Sequence, residues 1–218
     1  MKKIYLLSGP GTKEGFSKKI LEELNTDLKD AKSITFIASS PSNHDKNLKF
    51  IYGSENIIGM INHLKLIHTF EKINVIDDLN KNKNVIINSD VVYLLGGNHE
   101  SQLKFIKENN LGEVLKEFDG ILLCTSCGAM NIAEKGYYSK DENVSDSYFY
   151  DGIGLINITI DPHFDINNEG QVNEALKMSS NHIIYGVPND SGIKVEKGIL
   201  KLIGTIYIFE DGNMRVGE

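Results

Sequence analysis

Short, almost wholly apolar runs alternate along this chain with longer stretches in which apolar residues recur every third or fourth position. The runs Lys3–Leu7, Ser33–Ala38, Lys72–Ile76, Asp90–Leu95 and Gly120–Leu123 read as strands. Helical spacing connects them. It runs from Phe16 to Leu28 through Ile20, Leu21 and Leu24, and again from Asn56 to Leu66. It returns from Glu100 to Phe118, with a break near Asn109-Asn110. Strands that are apolar at nearly every position are covered on both faces. Strand and helix in alternation therefore predict an α/β fold, a mostly parallel sheet with helices on both faces in the flavodoxin-like manner.

The pattern changes after Tyr137. Tyr137 to Tyr150 is polar and aromatic without a period and reads as a long loop. Leu155–Ile160 alternates like a strand, Val172–Met178 reads as a short helix and His182–Val187 as another strand. Alternation from Gly192 to Phe209, folded about Glu196-Lys197-Gly198, predicts a C-terminal β-hairpin. No linker or repeat divides the chain, so residues 1–218 are expected to form a single domain.

Charge and composition narrow the function classes. The 218 residues include 23 basic and 30 acidic side chains, a net charge of -7. Nucleic acids and anionic membranes attract basic surfaces, so neither is an expected partner. The apolar run Ile4–Leu7 is too short for a signal peptide, and no run approaches the ~20 apolar residues that cross a bilayer. The expectation is a cytoplasmic protein. Two cysteines, three positions apart, do not make a disulfide scaffold.

Candidate chemistry concentrates in Cys124-Thr125-Ser126-Cys127-Gly128-Ala129, a polar turn between a buried strand and a helical segment. Active sites of parallel sheets lie at the carboxyl ends of strands. A nucleophile elbow needs small residues two positions either side of the nucleophile, because the turn is tight and strained. Centred on Ser126, those flanks are Cys124 and Gly128, both small. Centred on Cys127 they are Thr125 and Ala129, and a β-branched Thr fits poorly; centred on Cys124 one flank is the bulky Leu122. Spacing therefore favours Ser126. Cys124-x-x-Cys127 also invites a dithiol reading, but the motif lies in the second half of the chain and overlaps the serine turn. No second Cys/His cluster has metal-ligand spacing, and no metal or other cofactor is expected. Gly9-Pro10-Gly11 lacks phosphate-loop spacing and reads as a plain turn; His44, His63, His68 and His182 read as surface or core residues.

Three blocks resemble the dipeptidase E and cyanophycinase group of serine peptidases, which has an amidotransferase-like fold. Ser126-Cys127-Gly128-Ala129 is similar to its Ser-Ala-Gly-Ala signature. Gly96-Gly97-Asn98, followed by Gln102-Leu103, matches its Gly-Gly-Asn block, and Asp161-Pro162-His163-Phe164 is similar to Asn-Pro-His-Phe. The resemblance extends to Gly186-Val187-Pro188. It implies a serine hydrolase acting on small peptides, with Ser126 as nucleophile and His163 as base. It implies Asp141 as the acidic third member, with Glu142 as a weaker candidate. Dipeptidase E carries a further carboxylate after its Gly-Leu-Pro segment, where this chain has Asn189 and then Asp190. The N–H groups of Gly97 and Cys127 would form the oxyanion hole. Asn98 and His99 are candidate substrate contacts. N-terminal Asp preference is also implied, although only Lys135 and Lys140 offer a cation near the turn. A homodimer is allowed. The competing readings are a binding domain of the same fold without catalysis, and a cysteine hydrolase of that fold.

Overall fold

The computed structural model describes residues 2–10, 15–55, 57–65, 68–140 and 144–217. The first half follows the predicted alternation: β1 (Lys3–Leu7), α1 (Lys18–Leu28), β2 (Ser33–Ile37), α2 (His44–Tyr52), the small pair β3 (Gly53–Ser54) and β4 (Ile57–Ile58), α3 (Met60–Lys65), β5 (Lys72–Ile76), α4 (Lys83–Ile87) and β6 (Val91–Leu94). Then come α5 (His99–Glu108), α6 (Leu111–Glu117), β7 (Ile121–Thr125) and α7 (Cys127–Asn131). The break between α5 and α6 falls at Asn110, whose φ of 51° is left-handed and cannot continue a helix. Helices α2 and α4 are not predicted by the spacing. Both are short, and each starts from an asparagine, Asn43 or Asn82, whose side chain accepts a backbone N–H of the first turn.

Five strands, β1, β7, β6, β2 and β5, lie parallel in the main sheet. Their side chains divide by the period of two. Ile4 and Leu6 enter one core with Leu122, Cys124 and Leu94, whereas Tyr5 and Leu7 enter the other with Tyr93 and Leu123. Helix α1 covers the second face with Ile20, Leu24 and Leu28, four residues apart and fully buried. Each such side chain contributes about 1.5–3 kcal/mol. The parallel strands leave all their carboxyl ends along one edge, which positions the site.

The second half departs from the expected loop. Both ends of the segment Tyr137 to Tyr150 fall in strands, β8 (Lys135–Tyr138) and β9 (Tyr148–Asp151), paired antiparallel with Tyr138 opposite Tyr148. Those rings stack at 5.5 Å, and Gly136 lies under the Tyr150 ring, where a Cβ would come within 2.3 Å. Cross-strand aromatic contacts stabilise a hairpin whose sequence shows no alternation. The strand expected over Leu155–Ile160 forms instead as β10 (Thr159–Pro162), because Ile156 makes only a bridge to Ala133. β10 heads a second sheet, with β11 (Ile184–Val187), β14 (Ile206–Glu210) and β15 (Asn213–Gly217) in that order, beside α8 (Glu169–Met178). The C-terminal hairpin forms as β12 (Gly192–Glu196) and β13 (Ile199–Ile203), but β12 also runs antiparallel to β1 and so widens the main sheet.

Candidate active site

β7 ends at Thr125, and Ser126 follows with φ 50° and ψ −121° before α7 begins. A non-glycine residue held there stores about 1–3 kcal/mol, so its surroundings must hold it. The Ser126 N–H donates to the Leu7 carbonyl at 2.9 Å, and its own carbonyl accepts from Ala129 and Met130 at 2.9 and 3.1 Å. Small neighbours are required on both sides. A Cβ on Gly128 would lie 2.6 Å from the Leu94 carbonyl oxygen, and one on Gly96 would lie 3.1 Å from Ser126 Cβ. Cys124 is fully buried in the core behind the turn.

Neither thiol is poised for chemistry. Burial pushes the Cys127 thiol up to about 12, although the Gly97 backbone N–H pulls the other way, and Cys124 is raised further from its ordinary value. Cys127 Sγ points into the protein, 3.6 Å from the Leu95 carbonyl. The nucleophile of a cysteine enzyme is the thiolate, which these surroundings suppress.

His163 follows β10 with φ 58° and places Nε2 2.9 Å from Ser126 Oγ. Its Nδ1 lies 2.7 Å from Asn189 Oδ1. Ser8, at the carboxyl end of β1, connects the two: its Oγ accepts the His163 backbone N–H at 2.7 Å and donates to Asn189 Oδ1 at 3.3 Å. The carbonyl oxygen of Asn189 faces the ring, where it also accepts the Ser8 hydroxyl; Ser8 Oγ lies 3.5 Å from Nδ1. Nδ1 then carries the proton and donates to Asn189. Nε2 is free to accept the Ser126 hydroxyl proton.

Asn189 thus stands where a triad has its acid. Asp190 is turned away, with its Oδ1 accepting the Ser17 backbone N–H at 3.1 Å. Asp141 and Glu142, the expected acids, lie outside the described residues.

Ser126 opens into a cleft of about 450 Å³ lined by Gly97, Cys127, Met130, Tyr137, Tyr138, Ser139, Lys140, Asp161, Pro162, His163, Asn168 and Gln171. Gly97 has φ 138°, and a Cβ there would lie 2.4 Å from Ser39 Oγ, so only glycine brings this backbone to the cleft. Asn98 caps α5, its side chain accepting the Ser101 N–H at 2.8 Å. His99 packs 4.5 Å from the Tyr138 ring, with Nε2 3.0 Å from the Tyr148 hydroxyl. Among the described residues, no group of three His, Cys, Asp or Glu side chains is placed to hold a metal ion. None of their helices is long and apolar enough to cross a membrane.

Ser8, Asp161 and Gln171 are among the side chains at the site that the sequence does not single out. Two of them left a trace. Ser8 ends the first apolar strand, the position where such sheets place their chemistry, and Asp161 replaces the Asn of the Asn-Pro-His-Phe block.

A strained serine between strand and helix, in contact with an imidazole at the carboxyl edge of a parallel sheet, is the arrangement that a serine hydrolase requires. The family model for peptidase family S51 matches residues 4–203, and the chain belongs to that family of peptidases. Its fold is similar to that of a peptidase from an acI-B1 Actinobacterium (TM-score 0.65, 15% identity, covering 100% of this chain and 94% of the other). It is also similar to a protein from Listeria monocytogenes EGD-e described as a peptidase E (TM-score 0.61, 16% identity, covering 93% and 98%). No curated protein sequence matches.

Proposed function

We propose that the protein hydrolyses short peptides through an acyl-enzyme on Ser126. The observation that carries this reading is the 2.9 Å contact between Ser126 Oγ and His163 Nε2 on a strained elbow. Nε2 takes the hydroxyl proton as Oγ adds to the scissile carbonyl carbon. The negative charge moves to the carbonyl oxygen, which the N–H groups of Gly97 and Cys127 receive. One such donor is typically worth ~3 kcal/mol in the transition state. The C–N bond then breaks, and Nε2–H protonates the leaving amine. Water, deprotonated by the same nitrogen, hydrolyses the ester and restores Ser126.

Asn189 keeps the ring in the productive tautomer throughout. It is neutral, so it stabilises the imidazolium by its carbonyl dipole rather than by charge. A cleft of about 450 Å³ suits a short peptide rather than a folded protein.

A fluorophosphonate probe tests the reading. Wild-type protein is labelled, Cys127→Ala is labelled and Ser126→Ala is not. Folded wild-type protein that neither takes the probe nor cleaves any member of a dipeptide library contradicts the proposal.

A further inference from the structure

The cleft contains a buried acid that the proposed reaction does not use. Asp161 lies on β10, two residues before His163, and is only 1% exposed. Its Oδ2 accepts from Gln171 Nε2 at 3.1 Å. Its Oδ1 is buried and, among the described residues, has no hydrogen-bond partner. The Ser139 hydroxyl is near enough to ease the carboxyl's charge, without a bond of good geometry to Oδ1. The Tyr137 hydroxyl is likewise buried without a hydrogen bond of good geometry; the Ser147 hydroxyl is near it, and it also feels the Asp161 charge.

Unsatisfied buried polar atoms are rare in a folded protein, and each needs an explanation. Two of them here sit in the wall of the cleft that holds Ser126 and His163. A ligand that brings donors would satisfy both. The other charged side chain lining the cleft is Lys140, which is exposed; the His163 imidazole is engaged with Ser126 and Asn189.

Resting on the peptidase reading, we propose that Asp161 is a specificity-determining residue that binds an ammonium group on the acyl-side residue of the substrate, with Gln171 holding the carboxyl in place. The ammonium is either the free α-amino group of an N-terminal residue or the side-chain ammonium of a basic one. An acidic residue at this position would face the Asp161 carboxyl, so N-terminal Asp peptides are disfavoured.

The test uses lysine, alanine and aspartate p-nitroanilides, each with a free and an acetylated α-amino group. Every kcat/KM is divided by the same protein's rate of fluorophosphonate labelling, which reads Ser126 and His163 alone. In the wild type, ammonium-bearing substrates are expected to exceed the acetylated aspartate substrate by about 100-fold, the scale of a desolvated charge pair. If acetylation removes the advantage from lysine and alanine alike, the α-amino group is the ligand. If acetyl-lysine keeps it, the side chain is. Asp161→Asn collapses the advantage, and Gln171→Met, which leaves the charge but frees it to move, reduces it by a smaller factor with the same ranking. The proposal fails if, in the wild type, acetylating the α-amino group costs nothing and lysine has no advantage over aspartate, or if both variants keep the wild-type ranking. Absence of both labelling and cleavage contradicts instead the peptidase reading on which the proposal rests.

Discussion

The two halves of the candidate site are built in different ways. On the serine side, Thr125, Ser126 and Cys127 are consecutive, and the supports are near in the sheet: the Leu7 carbonyl, the Leu94 carbonyl and Gly96. Packing against neighbouring parallel strands fixes the geometry. On the histidine side, Ser8, His163 and Asn189 come from the ends of three strands in two sheets, and Ser8 and His163 are 155 positions apart. There a chain of hydrogen bonds, not packing, sets the ring. A rigid elbow presents the hydroxyl, and a polar network that a single substitution can rearrange decides whether that hydroxyl has a base.

The harshest test of this contrast removes one reacting group from each half. Ser126→Ala and His163→Ala are each expected to lower kcat by about 10⁴- to 10⁶-fold, with little further loss in the double variant, because the two act as one unit. Cys127→Ala, beside the nucleophile but with its thiol turned inward, should retain most of the activity. Steady-state kinetics with a dipeptide substrate checks all four proteins. Additive losses in the double variant would mean that the two halves do not cooperate.

The next effect lies on the histidine side. Burial raises the Asp161 carboxyl from 3.8 to about 7 in the folded protein. The unfolded chain therefore releases this proton at lower pH than the folded chain does. Between about pH 4 and pH 7 the folded state binds more protons, so stability falls as pH rises through that window and levels off above it. The full shift corresponds to about 4 kcal/mol as an upper bound. Asp161→Asn removes this falling limb, so the variant gains on the wild type as pH increases. Urea unfolding at about pH 5 and about pH 8 measures it. Two parallel pH profiles would show that the buried carboxyl keeps its ordinary value.

A smaller effect belongs to the serine side alone. Gly128→Ala places a methyl 2.6 Å from the Leu94 carbonyl oxygen, where backbone must move. The expected cost is about 2–3 kcal/mol of stability, read as a lower denaturant midpoint. Glycine at position 128 packs rather than reacts, so the variant's loss should appear in folding as well as in labelling. Unchanged stability would mean that the elbow can relax.

How much of this was legible follows the same division. The central strands and α1 are visible because burial on both faces leaves unbroken apolar runs, and burial of Ile20, Leu24 and Leu28 leaves a four-residue stripe. The elbow is visible because small residues at 124 and 128 are a local requirement. The β8–β9 hairpin is hidden because it is held by ring contacts such as Tyr138 with Tyr148, which leave no alternation. Ser8 and Asn189 are hidden as partners of His163 because no local pattern records a contact across 155 or 26 positions. The family resemblance directs attention to the acids Asp141 and Glu142 after the elbow and marks Asn189 as standing where a carboxylate is expected, but an amide there gives no local sign that it holds the ring.

That amide gives the finest test. A neutral Asn can replace a triad acid only if its oxygen, not its NH₂, faces the ring. If the NH₂ faced Nδ1, the proton would sit on Nε2, and Ser126 would lose its base. Ser8 favours the productive orientation by donating to Asn189 Oδ1 while it accepts the His163 N–H. Ser8→Ala should therefore lower kcat by about tenfold with little change in KM, because the amide is freed to turn without leaving the site. Asn189→Ala should cost somewhat more, about 10- to 100-fold, because Nδ1–H then keeps only the Ser8 hydroxyl, 3.5 Å away, as an acceptor. The sharper variant is Asn189→Asp, in which both oxygens accept and orientation ceases to matter. In that background Ser8→Ala should cost little kcat. If Ser8→Ala is equally costly with Asn and with Asp at position 189, Ser8 acts through the His163 backbone alone, and the ring is set by packing after all, as on the serine side.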